Sequence, residues 1–262
     1  MRGQIVRNLK LLLATRRIRI VAAACVLGSP LAVHRIHILN TANAQPPLRI
    51  PSNVAWTDDT IAEASHGDAV RGFLIADRCA RCHGREGFSA SAEIPNLAGL
   101  DRLVIWKQLN DFRDRKRKSK VMDTVASELE TRDYADLAAY YSMLPTYPDA
   151  GDTRAFPELA STQTIAAARL VAFGDGARGI PPCQVCHGPI GYKLGAPSLL
   201  AQNSTYVQDQ LEDFANGNRS NDIDMPMRSI AGSLTEEERL ALAAYYGSGL
   251  GKVSGNRSDA SQ

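Results

Sequence analysis

The chain has 262 residues, with 30 Lys and Arg against 28 Asp and Glu and a formal net charge of +2; hydrophobic residues make up 44% and charged residues 22%. That length allows two domains of roughly 100 residues each. The composition excludes a disordered chain, a collagenous repeat and a multi-spanning membrane protein.

In chain order, the first segment is basic and then apolar. Residues 1–44 hold Arg2, Arg7, Lys10, Arg16, Arg17, Arg19 and Arg35 with no acidic residue, an apolar run from Ile20 to Val33, and Ala42-Asn43-Ala44 before Gln45. This pattern predicts an export signal peptide cleaved after Ala44. The apolar run of 14 residues contains Gly28 and Pro30 and falls short of the roughly 20 residues that span a bilayer. Arg16-Arg17 only weakly resembles a twin-arginine signal, because Arg19 stands where an apolar residue is expected, and Cys25 is discarded with the peptide. Cleavage removes 7 of the 30 basic residues and none of the 28 acidic ones, leaving 23 against 28, a net of −5. The basic character therefore belongs to the leader and gives no argument for nucleic acid.

The rest of the chain is written twice. The first copy, residues 45–148, runs through a helix into Cys79-Ala80-Arg81-Cys82-His83, then Pro95-Asn96-Leu97-Ala98, a helix around Gln108-Leu109-Asn110-Asp111-Phe112, the segment Met122-x-x-x-Ala126-x-x-Leu129 and a last helix ending at Tyr140-Tyr141. Turn formers in Pro145–Asp152 mark the boundary. The second copy, residues 149–262, repeats the order with Cys183-Gln184-Val185-Cys186-His187, Pro197-Ser198-Leu199-Leu200-Ala201, Gln210-Leu211-Glu212-Asp213-Phe214, Met227-x-x-x-Ala231-x-x-Leu234 and Tyr245-Tyr246. The two histidines are 104 residues apart, and the methionine and tyrosine markers 105 apart. This is a duplicated module. Three main helices are expected in each, the clearest opening on a Thr235/Glu238 capping box with Leu240, Leu242, Ala243 and Tyr246 on its apolar face. No alternating strand pattern is visible, so the fold class is all-α.

Cys-x-x-Cys-His is the attachment signature of c-type haem: two thiols reach the two vinyl groups of one porphyrin while the histidine sets its imidazole on the iron. A disulfide or thioredoxin-like redox pair leaves both histidines unexplained. A four-cysteine zinc site would have to join modules 100 residues apart. Two covalently bound haem c groups are therefore expected, on Cys79, Cys82 and His83 and on Cys183, Cys186 and His187. Beyond the leader the histidines are His66, His83 and His187, so two bis-histidine irons are excluded and methionine is the remaining sixth ligand. The repeat selects Met122 and Met227, with Met225 the alternative to Met227. Met143 reads as core packing, and His66 as a solvated or core residue that would ligate iron only in place of Met122. A His/Met pair favours ferrous iron, raises the potential and leaves no open position, so one-electron transfer rather than catalysis is expected.

These residues resemble the two-domain dihaem cytochromes c, the cytochrome c4 family, over roughly residues 66–248. The resemblance implies two tandem cytochrome c-like helical domains about a pseudo-twofold axis with haems near their interface. It also implies that the Pro95 and Pro197 segments line the histidine side of each haem, where a backbone carbonyl fixes the imidazole tautomer. It further implies a periplasmic electron carrier, free or loosely membrane-associated, whose partners are redox proteins such as a respiratory complex or terminal oxidase. The chain departs from the family pattern at Ile75, where an aromatic is usual, at the inserted-looking Gly174–Gly179, and in its long N-terminal segment. Two other functions remain open: a dedicated cytochrome subunit of a dehydrogenase complex, and a dihaem peroxidase, which would need an open iron. The basic run Arg113–Lys120 reads either as a solvated face or as a docking patch for an acidic partner.

Overall fold

A computed structural model describes residues 51–146, 162–188 and 193–248. The proposed leader with its cleavage point after Ala44, and the domain boundary within residues 147–152, lie outside the described residues. In the first module, α1 (Asp58–Ser65) starts from a Thr57/Thr60 capping box. Next, α2 (Ala69–Ile75) starts where the Asp68 carboxylate accepts the N–H groups of Val70 and Arg71. Helix α3 (Asp77–His83) carries the first haem motif and stops at Gly84. Helices α4 (Arg102–Arg113), α5 (Lys120–Ser127) and α6 (Thr131–Met143) complete the module. Asp101 and Ser119 cap α4 and α5 through their side chains, each satisfying an otherwise orphaned amide.

Among the described residues, the second module repeats this order from the counterpart of α2 onward. Helix α7 (Thr162–Phe173) leads through a 3₁₀ turn (Gly176–Arg178) to α8 (Gln184–His187), followed by α9 (Ser204–Ala215), α10 (Pro226–Ser233) and α11 (Glu236–Gly247). The predicted Thr235/Glu238 capping box opens α11. The insertion at Gly174–Gly179 is a closed turn, in which Asp175 pairs with Ile180 in an isolated bridge and Arg178 binds both Asp175 and Glu238. That bridge is the β-type pairing found among the described residues, where no helix is long and apolar enough to cross a membrane.

Against the three main helices expected in each module, the described residues form six in the first and five in the second. The methionine-bearing α5 and α10 have eight residues each, too few to show a 3.6-residue stripe. They are set instead by their first residues, the Ser119 cap and Pro226 at the first helical position, where proline is preorganised.

Packing follows the duplication. Helix α6 lies on α2 and α4, with α5 on α4; α11 lies on α7 and α9, with α10 on α9. Two apolar clusters result, in which Leu109, Phe112, Ala126, Leu137, Ala138 and Tyr141 are matched by Leu211, Phe214, Ala231, Leu242, Ala243 and Tyr246. Each leucine or phenylalanine contributes roughly 1.5–3 kcal/mol by leaving water. Two expected core residues fall outside: Leu240 is 43% and Met143 69% exposed, because they lie on the outer faces of α11 and α6.

The crossing of α2 and α6 depends on Gly72, where an added Cβ would stand 2.1 Å from the Asp136 carbonyl oxygen and 2.8 Å from Tyr140 Cβ. Beside it, buried Asp136 accepts from Arg71 Nε at 2.8 Å and Nη2 at 2.9 Å, and from the Asp68 amide at 2.6 Å. Gly72→Ala is accordingly expected to lower the stability of the haem-loaded protein by about 1–3 kcal/mol in urea titration, the range of core overpacking. Burial raises the Asp136 carboxyl, but Arg71 and the Asp68 amide outweigh it and hold the group below its ordinary value. A depressed carboxylate adds stability above the unfolded value, about 3.9, that disappears as pH falls through the folded one. Stability should therefore drop below about pH 4 more steeply in the parent than in Asp136→Asn, as read from urea midpoints across pH.

Candidate haem-binding crevices

His83 is buried at the end of α3, with its Nδ1 2.8 Å from the carbonyl oxygen of Pro95; His187, at the end of α8, stands 2.8 Å from that of Pro197. A carbonyl can only accept, so each Nδ1 carries the hydrogen and donates it. Each Nε2 is left with a lone pair. Burial pushes both imidazoles below their ordinary pKa, and the proline carbonyls only partly offset this. Both rings are thus neutral and in the tautomer a metal requires. The proline segments lie where the family resemblance implied.

One continuous cavity of about 700 Å³ is lined by both histidines, all four motif cysteines, Met122 and Met227. The Met227 sulfur is 3.5 Å from His187 Nε2. Met122, in the matching place on α5, packs on the first core cluster and faces the same cavity. Met225 does not line it: this residue is 55% exposed and occupies a left-handed turn (φ 62°) ahead of Pro226. His66 is exposed at the end of α1, away from the cavity.

The chemistry of the lining fits a porphyrin. Apolar side chains dominate each crevice, among them Leu97, Leu109, Phe112 and Val125 in the first and Leu199, Leu211, Phe214 and Ile230 in the second. The hydroxyls of Tyr141 and Tyr246 are buried at the cavity wall without a hydrogen-bond partner of ordinary geometry. They lie beside Cys79 and Cys183 closely enough for each pair to perturb the other's titration. Burial pushes the free Cys183 thiol up to about 11 and raises Cys79 as well, so these sulfurs are poor redox nucleophiles in the folded chain. Neither cysteine pair forms a disulfide, and no three His, Cys, Asp or Glu side chains converge on a metal position among the described residues. The arrangement suits two groups, each fixed through a cysteine pair and presented to one histidine.

The basic run Arg113–Lys120 is divided by the fold. Arg113 is tied to Asp114 and Asn110, and Arg117 turns inward to Gln108, Tyr206 and Gln210. Arg115, Lys118 and Lys120 remain exposed, with Lys118, Ser119 and Val121 at the cavity mouth. Three features of the site are missing from the sequence reading: Trp56, the buried ion pair of Lys107 with Asp111, and the partnership of Arg117 with Arg219. A signal for the last exists, since Arg117 and Arg219 share the 102-residue spacing of Gln108 and Gln210.

No protein-family profile matches the chain. Cytochrome c4 of Pseudomonas aeruginosa is 36% identical over 183 residues, 68% of this chain and 87% of the relative. The thiosulfate dehydrogenase electron acceptor of Stutzerimonas stutzeri is 35% identical over 171 residues, 64% of this chain and 77% of the relative. The crystal structure of reduced cytochrome c4 from Pseudomonas stutzeri superposes with a TM-score of 0.63 at 32% identity, over 70% of this chain and 98% of that one. Duplicated helical modules, paired haem motifs and this likeness across nearly the whole of cytochrome c4 agree: the chain belongs to the cytochrome c4 family of electron-transfer proteins and carries two covalently bound haem c groups.

Proposed function

We propose that the chain is a periplasmic electron carrier in which Cys79 and Cys82 hold one haem and Cys183 and Cys186 the other. In this reading His83 and Met122 ligate the first iron, and His187 and Met227 the second. Each haem supplies one-electron chemistry, its iron alternating between ferrous and ferric. The observation that carries the reading is the repeated crevice: a neutral histidine with Nε2 turned inward, and a methionine at the matching place in each copy. The protein's part is to keep those ligands fixed, exclude water with apolar walls and favour the reduced state through a soft sulfur ligand. With a methionine provided for each iron, neither has a position for substrate, which speaks against the peroxidase alternative.

Partners are read as redox proteins such as a respiratory complex or terminal oxidase. The relative named as an electron acceptor for thiosulfate dehydrogenase supports a second reading, in which the chain takes electrons from a dedicated dehydrogenase. Both readings use the same haem chemistry. Stable co-purification of a dehydrogenase would favour the second. Exposed Arg115, Lys118 and Lys120 beside the first crevice suit an acidic partner in either case.

The deciding experiment is the optical spectrum in both redox states, with haem per chain from a pyridine haemochrome assay. Two haems per chain and the weak near-infrared sulfur-to-ferric-iron band at full strength are expected. Met122→Leu and Met227→Leu should each remove about half of that band, the share of one iron in two, while Met225→Leu leaves it intact. Loss of the band in Met225→Leu would transfer the ligand assignment to that residue. The docking face has its own check: Lys118→Gln with Lys120→Gln should slow electron exchange with an acidic redox protein about tenfold at low ionic strength. The difference should vanish near 1 M salt, where charges are screened within about 3 Å.

A further inference from the structure

The resemblance in sequence to cytochrome c4 begins near residue 66, so residues 51–65 precede it. They are nevertheless built into the molecule. From residue 52 the side chains alternate, with Ser52 and Val54 buried and Trp56 half-buried while Asn53 and Ala55 are exposed. This is the pattern of an extended chain laid on a surface. Thr57 then opens α1, which packs on α4 and α6. At the C-terminal end of α4 the Ser52 hydroxyl donates to Asp111, and Asn53 donates to Asp114 at 2.9 Å. At the other end, Arg102 donates to the Ser65 carbonyl at 2.9 Å. The segment therefore runs along α4 in the opposite direction, as a strap.

Trp56 is where the strap meets the other module. Its ring packs on the first apolar cluster and lines the cavity. Against it stands Gly195, where φ is 74° and an added Cβ would be 2.5 Å from the ring; only glycine lets the backbone pass this close. Gly195 lies two residues before Pro197, whose carbonyl accepts the His187 Nδ1–H. The ring thus bears on the imidazole through the backbone of Gly195–Pro197. The anchor of the strap is shared in the same way, because the Asp111 carboxylate that accepts from Ser52 also accepts from Asn221 of the second module at 2.7 Å.

The two proline loops are braced by different means. The Pro95 loop is hydrogen-bonded to Gln202 and Asn203, whereas the Gly195 loop rests on an aromatic ring. An indole supplies what a hydrogen bond does not, a large apolar surface that keeps water from the cavity wall. Water stabilises the extra positive charge of a ferric centre. Excluding it favours the ferrous state and raises the potential.

We propose that residues 51–65 are a strap by which the first module closes the crevice of the second, with Trp56 shielding the second haem from water and holding the loop of His187. An element outside the part shared with cytochrome c4 thereby sets the potential of one iron. The inference rests on the two-haem reading above. Trp56 is a positioning residue. Its effect falls on the second iron, because the loop it supports carries the carbonyl for His187; the loop behind His83 is held by Gln202 and Asn203 instead.

The test is a spectroelectrochemical titration of full-length, haem-loaded protein, with haem per chain measured in parallel. The potential displaced in Met227→Leu identifies the second iron. Trp56→Ala should retain two haems and lower that same potential, its reduction equilibrium falling about tenfold, or 59 mV for one electron, while the other stays in place. Trp56→Phe, which keeps an aromatic cover, should restore most of the shift. Val171 belongs to the second core cluster and does not line the cavity, so Val171→Ala should lower thermal stability and leave both potentials unmoved. Movement of the first potential as far as the second, of neither, or of the second in Val171→Ala as far as in Trp56→Ala overturns the proposal. Should Trp56→Ala fail to fold, the ¹⁵N-labelled parent decides. The indole N–H resonance that Trp56→Phe removes should shift on reduction of the second iron, and a resonance indifferent to that iron overturns the proposal. Fewer than two haems in the parent protein would instead overturn the two-haem reading, and this one with it.

Discussion

The hydrogen bond from a histidine Nδ1–H to the carbonyl of Pro95, and its repeat at Pro197, orients the imidazole that faces each half of the cavity. It fixes the tautomer and the ring plane, and makes Nε2 a better donor to a metal. The carbonyl must itself be held, and each module braces the proline loop of the other. Asn203 donates to the Ile94 carbonyl at 2.7 Å, and the amide of Asn96 donates to Gln202 at 2.7 Å, so the second module secures the loop that holds His83. In return, Trp56 of the first module packs against Gly195 so closely that an added Cβ would stand 2.5 Å from its ring. Imidazole orientation and module packing are therefore one constraint.

The contact between modules is correspondingly polar. Lys107 and Asp111 are both buried and paired; Lys107 also reaches the Asn221 carbonyl at 2.8 Å, and Asp111 accepts from Asn221 at 2.7 Å. A buried ion pair is a weak source of stability, because dehydration consumes most of the attraction. Its value here is geometric. The repeat-equivalent positions are Asp209 and Asp213, two like charges that cannot form the same pair, so this network closes in one relative placement of the two copies. An apolar contact of the same area would tolerate sliding.

What the sequence reveals follows from how far apart the determining residues lie. The haem motifs, the duplication and the longer helices are local or periodic, and were legible from residue spacing alone. That Met227 rather than Met225 faces the cavity was legible only through comparison of the copies; the physical reason is the turn at Met225, which uses a left-handed residue to start α10 and leaves that side chain exposed. The helices α5 and α10 escaped because eight residues carry too little pattern. The inward turn of Arg117 escaped because a run of like charges reads as solvated face when the acceptors, Tyr206 and Gln210, lie about 90 residues away.

The two copies have diverged on the outside while keeping the inside, and one turn shows the asymmetry at the level of the backbone. The second residue past each Gln-Leu-x-Asp-Phe helix is left-handed and returns the chain toward the cavity. Gly217 meets that need without strain in the second module, whereas Arg115 meets it in the first, at a cost of roughly 1–2 kcal/mol for a residue with a Cβ. The flanking positions differ in the same sense: Lys116, Lys118 and Lys120 stand where the second copy has Asn218, Ser220 and Asp222. Burial cannot account for Arg115, which is exposed, and among the described residues its side chain has no hydrogen bond or ion pair to offset the strain. Its charge is what distinguishes it from glycine, and that charge adds to the exposed Lys118 and Lys120 of the first module only. Matched interiors give the two haems similar surroundings; the unequal outer charge sets the first module apart as the face on which the proposed docking of an acidic protein depends.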